Sequence, residues 1–156
     1  MPPHSQAKTG VEIDHATHTI RFVRSFDAPA DLVFKAWTGA EHVRCWWDAA
    51  GEPLAICEID LRPGGAFRFV SRAHPEMPFT GVYLEIAPPN RLVFEALNST
   101  GRVQFSASGG KTRMTVEIIC HSAQQLEQFL KMGVDAGTSQ TLDNLLAYIQ
   151  RQGVTA

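Results

Sequence analysis

The chain has 156 residues, of which 44% are apolar and 19% charged, and its formal net charge is −2. This length fits one domain that buries roughly 68–70% of its unfolded surface, without a need for disulfides or a structural metal. The charge balance gives no basic field for phosphates, so nucleic acid is excluded as an expected partner. Three cysteines without a C-x-x-C spacing favour a reduced, cytoplasmic protein.

The N-terminal stretch is polar and differs in composition from the rest of the chain. Residues 1–16 are predicted to form a flexible arm, with a first strand at Val-Glu-Ile (residues 11–13) as the alternative, and residues 17–153 to form a single domain. The arm lacks the apolar segment of a signal peptide, and no run approaches the about 18 apolar residues that a membrane span requires. We therefore expect no membrane insertion.

One strand and two short helices are predicted next. In HTIRFVRSF (residues 18–26), Ile20, Val23 and Phe26 are interrupted by arginines, which indicates a half-buried strand. DAPADLVFKAWTG then changes to helical spacing, with proline at a first helical position and a closing glycine. Thr38 and Glu41 have the spacing of a capping box and predict the start of a second helix.

Trp46 and Trp47 stand side by side at the end of this second helix. Adjacent helical residues point about 100° apart, so the two rings cannot face the same way. We expect one tryptophan to anchor the helix in the core and the other to reach the rim of any opening. Which ring takes which role is left open.

The remaining sequence predicts a run of strands and a long closing helix. Six apolar-alternating segments between Pro53 and His121 are separated by turns rich in Pro, Gly and Asn, which indicates hairpins and an antiparallel sheet. From Ser122, the predicted N-cap, a stripe of apolar residues spaced three and four apart predicts one helix about 45 Å long. The predicted fold class is α+β, with a curved sheet of about seven strands wrapped on this helix.

A twisted sheet and a straight helix diverge toward their ends, so a gap can open between them. Gly133 and Gly137 lie on the apolar stripe of the predicted helix, where each costs about 1 kcal/mol relative to alanine. Either a neighbouring element packs closely on them, or they leave an apolar cavity of the kind that binds small molecules. The predicted ligand-binding residues are Trp37, Trp46, Trp47, Phe67, Phe69, Tyr83, Phe94, Phe105, Met114, Val116, Phe129, Gly133 and Gly137.

The motifs of catalytic and metal sites receive little support from the sequence. His42 and Cys45 supply two ligands where zinc takes three or four, and no glycine-rich nucleotide loop is present. We expect no metal and no cofactor, and we assign no catalytic residue. Strand alternation predicts most carboxylates on the outer face of the sheet, which leaves Tyr83 as the group that could orient a ligand carbonyl.

Five segments carry a resemblance to a known family. FDAPADLVFKAWTGAEHVRCWW, CEIDLRPGGAFRFV, GVYLEIAPPNRLVF, TRMTVEI and SAQQLEQFLKMGVDAGTSQTLDNLLAYI resemble, in that order, the activator of heat-shock-protein-90 ATPase homologue group of the START-like (SRPBCC, birch-pollen-allergen-like) superfamily. The resemblance implies a helix-grip fold with an internal hydrophobic cavity. Relatives often carry Glu where Ala136 stands, so this departure lowers the case for catalysis.

Three functions are kept open, in this order of preference. The first is a binding module for a small hydrophobic or aromatic molecule, as in the lipid and steroid carriers of the superfamily. The second is an enzyme of the polyketide cyclase, dehydratase or hydrolase type, which needs an ionisable group inside the cavity. The third, implied by the name of the group alone, is a co-chaperone that stimulates heat-shock-protein-90 ATPase. A homodimer is left open as well.

Overall fold

The computed structural model describes residues 11–151. Within this range the chain forms eight strands and four helices. The elements in chain order are β1 (Val11–Asp14), β2 (Thr19–Phe26), α1 (Ala30–Thr38), α2 (Ala40–Trp46), β3 (Ile56–Ile59), β4 (Ala66–Val70), β5 (Phe79–Ala87), β6 (Arg91–Ala96), β7 (Ser99–Ser108), β8 (Lys111–Ile119), α3 (Ala123–Lys131) and α4 (Val134–Arg151).

All eight strands belong to one curved antiparallel sheet, in the order β1-β2-β8-β7-β6-β5-β4-β3. The consecutive strands β3 to β8 are joined by connections of two to eight residues. β2 pairs with β8 along its whole length, from Thr19↔Ile119 to Phe26↔Thr112. α4 lies on the inner face of the sheet, where its residues Leu142 and Leu145 are buried. The predicted α+β helix-grip fold is therefore confirmed.

The sheet has one strand more than the sequence predicts. Residues 11–14, assigned to the flexible arm, form β1 and pair with β2 in the register Val11↔Phe22 to Asp14↔Thr19. The arm boundary at residue 16 is thus corrected in favour of the alternative strand. Residues 1–10 of the arm, and the predicted domain end at residue 153, lie outside the described residues.

The predicted single C-terminal helix is in fact two helices. α3 ends at Lys131, and Gly133 then adopts φ +78°, a left-handed conformation that glycine reaches without a Cβ clash. α4 begins at the next residue, Val134. Ser122 caps α3 as predicted, because its Oγ accepts a hydrogen bond from the backbone N–H of Gln125 at 3.1 Å.

Two further local predictions are corrected. Thr38 does not cap α2; its hydroxyl donates to the carbonyl of Phe34 one turn back, and Gly39 occupies the N-cap position without a side-chain bond. The sequence pattern predicts Val23 on the apolar face of β2. In the structure Arg24 lies on the side of the sheet that faces α4, and Val23 lies on the other side. The Arg24 guanidinium donates to Asp143 Oδ1 at 3.0 Å and to Ser139 Oγ at 2.8 Å, which fastens α4 to the sheet.

Among residues 11–151, no helix is both long enough and apolar enough to cross a bilayer.

Candidate functional site: a cavity between the sheet and the C-terminal helices

A cavity of about 230 Å³ separates part of the sheet from the C-terminal helices. Its sheet wall comes mainly from β6, β7 and β8, and its helix wall from the end of α3 and the first half of α4. The lining residues are Trp37, Trp47, Phe79, Phe94, Ala96, Leu97, Ser99, Gly101, Val116, Glu117, Ile118, Phe129, Val134, Thr138, Thr141 and Leu142.

Periodicity explains how each wall presents side chains. On α4, Val134, Thr138 and Thr141 follow one another at intervals of four and three residues, which places them on one face of the helix. On β8, Val116 and Ile118 are two residues apart and point to the same side of the sheet. The cavity is therefore bounded by one helix stripe and by the inner positions of three neighbouring strands.

The tandem tryptophans take different roles. Trp46 is 1% exposed and its indole N–H donates to the carbonyl of Ala36 at 3.0 Å, so it anchors α2 in the core. Trp47, just past the end of α2, is half-buried and lines the cavity. Its backbone is fixed from the helix side, because the Thr141 hydroxyl donates to the Trp47 carbonyl at 3.1 Å. Trp47 is thus the member of the pair that borders the open space.

A second set of predicted lining residues fills the space beside the cavity. Phe67 and Phe69 stack with ring centroids 5.1 Å apart, and Tyr83 lies 5.1 Å from Phe67. The void among these rings and Trp46 is about 10 Å³, which is no more than a single water occupies. These four side chains form a solid aromatic cluster that supports the cavity from one side.

Two glycines allow the phenylalanine rings to lie low on the sheet. Gly81 and Gly101 are the register partners of Phe67 and Phe94, and a Cβ at either glycine would overlap the partner's ring. Close approach of a ring to a strand is possible here because glycine has no side chain. Phe94 consequently covers Gly101 and leaves room above itself.

The polar groups of the wall are few. The Ser99 hydroxyl donates to the Ala96 carbonyl at 2.8 Å and the Thr141 hydroxyl is taken by Trp47, so both are satisfied within the protein. Within residues 11–151 the hydroxyl of Thr138 makes no hydrogen bond, although Thr138 lines the cavity. It is therefore free to bond a ligand.

Glu117 lies on the β8 wall, but its carboxylate is already bound. Arg21 Nε donates to Oε2 at 2.9 Å, and Arg102 donates to Oε1 at 2.8 Å from Nε and 2.7 Å from Nη2. Burial alone would raise the pKa of Glu117, but the hydrogen bonds from Arg102 and Arg21 outweigh it and hold the pKa below its usual value. Strand alternation puts this ion-paired group on the opposite side of the sheet from Val116.

Tyr83, the candidate for orienting a ligand carbonyl, belongs to the aromatic cluster and does not line the cavity. Burial raises the pKa of its phenol above the ordinary range, and the neighbouring Cys57 adds to this effect. The pKa of Cys57 is itself raised by burial to about 11. Neither group is ionised near neutral pH.

The predicted site residues divide into three groups. Trp37, Trp47, Phe94, Val116 and Phe129 line the cavity, whereas Trp46, Phe67, Phe69 and Tyr83 form the filled cluster. The remaining four lie elsewhere: Phe105 packs edge-on against Phe34, Met114 accepts a hydrogen bond from the Trp37 indole through its sulfur, and Gly133 and Gly137 do not reach the cavity.

Sequence reasoning missed several lining residues, above all Phe79 and the α4 threonines. Phe79 was detectable, because it precedes Gly81 and Tyr83 at intervals of two on β5 and so shares their face. Thr138 lies on the same helix face as the apolar residues of α4, but the hydrophobic pattern of the sequence does not mark it because threonine is polar.

Near Leu97 the cavity reaches the protein surface. Leu97 lines the cavity and is 56% exposed, and it forms the β6–β7 turn together with Asn98, both residues having positive φ. The Gln125 side-chain amide donates to the carbonyls of Leu97 and Asn98 at 3.2 and 3.0 Å. α3 is thereby tied across this turn at the mouth of the cavity.

Comparison with known proteins agrees with this architecture. The family model for "Activator of Hsp90 ATPase homolog 1-like protein" matches residues 27–150. The chain belongs to this family. Among curated proteins, none is significantly similar to it in sequence.

Solved structures show the same fold as this family member at low sequence identity. Protein NE0264 from Nitrosomonas europaea aligns with a TM-score of 0.78 and 23% identity over 86% of this chain and 96% of its own. Protein Ms6760 from Mycobacterium smegmatis aligns with a TM-score of 0.76 and 22% identity over 91% of this chain and 97% of its own. The AHSA1-like protein from Aeromonas hydrophila aligns with a TM-score of 0.68 and 22% identity over 86% of this chain and 94% of its own.

Proposed function

We propose that this protein binds a small hydrophobic or aromatic molecule in the cavity between the sheet and α4, without transforming it. The observation that carries the proposal is the cavity itself: about 230 Å³ of space walled largely by aromatic and aliphatic side chains and open beside Leu97. Concave, mostly apolar sites with a few polar groups are the usual form of small-molecule sites.

Binding without chemistry is favoured by the state of the polar groups in the wall. Catalysis on a bound molecule needs an acid, base or nucleophile within hydrogen-bond reach of the reacting atoms. Glu117 is held by Arg21 and Arg102, and the hydroxyls of Ser99 and Thr141 are bonded to backbone carbonyls. The free hydroxyl of Thr138 has no base beside it among the lining residues and is suited to orienting a ligand.

A reducing compartment such as the cytoplasm is part of this proposal. Cys45, Cys57 and Cys120 are all free thiols, and Cys45 is exposed. Unpaired exposed cysteines persist as thiols where glutathione and thioredoxin keep them reduced.

The test is native mass spectrometry of freshly purified protein, with two matched variants. Val116→Phe places a larger side chain in the cavity, while Val23→Phe makes the same change on the outer face of the adjacent strand. We expect a co-purified small molecule on the wild type and on Val23→Phe, and its loss from Val116→Phe. A wild type free of any added mass, or a Val116→Phe variant that folds and retains the same molecule, would contradict the proposal.

A further inference from the structure

Building on the proposed function, we infer that the ligand is a compact, neutral molecule of one or two aromatic rings, with about ten non-hydrogen atoms and one hydrogen-bonding group directed at Thr138. Four properties of the cavity lead to this class: its volume, its aromatic walls, its lack of an available charge and its single free hydroxyl. Each property excludes a different kind of ligand.

Volume limits the size of the ligand. An apolar protein cavity of about 150 Å³ accommodates benzene. The cavity described above is about 230 Å³, roughly one and a half times larger, and so has room for about nine to eleven non-hydrogen atoms. A two-ring molecule such as indole fits this space, whereas a long-chain fatty acid or a sterol exceeds it.

The far end of the cavity is closed to an extended chain. Trp47 and Phe79 approach each other with ring centroids 5.2 Å apart, and both also line a separate depression of about 200 Å³ on the protein surface. A chain long enough to use both spaces would have to separate these two rings. The two spaces are therefore distinct, and the inner one holds a short molecule.

Aromatic side chains dominate the inner walls. Trp37 and Trp47 meet nearly at right angles, with an interplanar angle of 81°, so the cavity is bordered by rings in different orientations. Phe94 and Phe129 contribute rings from the sheet and from α3. Rings attract one another in offset-stacked and edge-to-face arrangements beyond the effect of burial, which favours an aromatic ligand over an aliphatic one of equal size.

Charge complementarity excludes an ionised ligand. No lysine, arginine or histidine is among the described lining residues, and the Glu117 carboxylate already has two arginine partners. An ion transferred from water into such a site would lose its hydration without gaining a partner of opposite charge. The bound molecule is therefore uncharged at neutral pH.

Thr138 supplies a position for a polar group on the helix wall, and among the lining residues that the structure describes the indole N–H of Trp47 is a second group without a partner. Thr138 stands one helical turn from both Val134 and Leu142, so the residue lies midway along the helix wall. A hydroxyl both donates and accepts, and accordingly an N–H, an O–H or a carbonyl on the ligand can satisfy it. A ligand with one such group pairs that group with Thr138.

The experiment uses indole and indene, which have nearly the same shape but differ in one N–H group. Binding of each is measured by isothermal titration calorimetry to the wild type, Thr138→Val, Thr138→Ser and Thr115→Val, the last being the same change on the outer face of β8. We expect both probes to bind the wild type. Thr138→Val should lower the affinity for indole about 3- to 10-fold relative to the affinity for indene, as expected for loss of one hydrogen bond. Thr138→Ser and Thr115→Val should preserve the wild-type ratio.

Palmitate and cholesterol, presented from cyclodextrin, separate this inference from the proposed function. If palmitate or cholesterol binds the wild type but not Val116→Phe, while indole and indene bind neither, the inferred class is overturned and the proposed function stands. If none of the four probes binds, the inferred class is overturned, and native mass spectrometry of the wild type and Val116→Phe decides the proposed function. If the ratio of the affinities for indole and indene is unchanged in a folded Thr138→Val variant, Thr138 does not bind the polar group of the ligand.

Discussion

The ring of Phe94 lies directly over Gly101, its register partner on the neighbouring strand. The missing side chain of the glycine lets the ring sit low on the sheet, and the space above the ring becomes part of the cavity. Here the width of the cavity depends on a single absent methyl group. Phe67 covers Gly81 in the same way, but other aromatic rings fill the space around it, so the glycine sets the height of the Phe94 ring and the neighbouring side chains set the void.

Replacing Gly101 with alanine should therefore damage both stability and binding. The new Cβ would overlap the Phe94 ring and force it upward into the cavity. We expect a loss of about 1–3 kcal/mol in the free energy of unfolding, as for other overpacked interiors, and at least a several-fold weaker affinity for indene. Urea denaturation and calorimetry measure the two effects. A variant of unchanged stability and affinity would show that the ring is not held by the glycine.

Replacing Gly137 with alanine should instead raise the free energy of unfolding. A Cβ built on Gly137 meets no atom within 4 Å, and Gly137 lies inside α4 and is not among the lining residues. Gly137→Ala should raise the free energy of unfolding by about 0.5–1 kcal/mol, because alanine has the higher helix propensity. Affinity for indene should stay the same. Destabilisation, or altered binding, would mean that the missing side chain of Gly137 is needed for packing.

Gly133 should be intolerant of substitution for a conformational reason. Its φ of +78° separates α3 from α4, and nothing crowds the position of a Cβ. Gly133→Ala should cost about 1–2 kcal/mol from the left-handed backbone alone, and Gly133→Asn should cost less because asparagine tolerates this conformation. Equal losses for the two variants, measured by thermal and urea unfolding, would contradict this explanation.

The overall fold was predictable because its signals are local and periodic. The change from strand alternation to helical spacing after Asp27, the hairpin turns and the Ser122 cap each specify their own element. The division of the C-terminal helix into α3 and α4 was harder to predict from the sequence, since a glycine such as Gly133 is compatible both with a helix interior and with a helix end. Only the tertiary packing of both helices decides between the two.

The candidate site was predicted in part, and the limits are physical. Alternation correctly places Phe67 and Phe94 on the inner face of the sheet, but it does not say which inward ring meets another ring and which meets empty space. Both rings cover a register-partner glycine, but Phe67 also stacks on Phe69, whereas Phe94 borders the cavity. Arg24 shows the reverse case, an arginine whose inward position is explained only by its partners on α4.

The ion pairs of Glu117 should make stability depend on pH. Because the folded-state pKa of Glu117 lies below its unfolded value of about 4.5, the stabilisation is complete above pH 4.5 and is lost as the pH falls through the folded-state pKa. Glu117→Gln should lower the free energy of unfolding by about 1–3 kcal/mol at neutral pH, and the difference from the wild type should shrink on acidification.

Glu12→Gln is the control for this measurement, because Glu12 also pairs with Arg21 but its side chain is 66% exposed. An exposed pair contributes little to stability, so this variant should follow the wild type across the pH range. Parallel curves for Glu117→Gln and the wild type below pH 4.5 would show that Glu117 is not the group responsible.

The most direct test of the central claim is a crystal structure of the protein soaked with indene at saturation. We expect electron density for indene between Trp47, Val116 and Val134, with the surrounding backbone unmoved. A saturated crystal in which this space is filled by rearranged side chains, or in which indene binds only elsewhere, would contradict the claim that the sheet and α4 enclose a binding cavity.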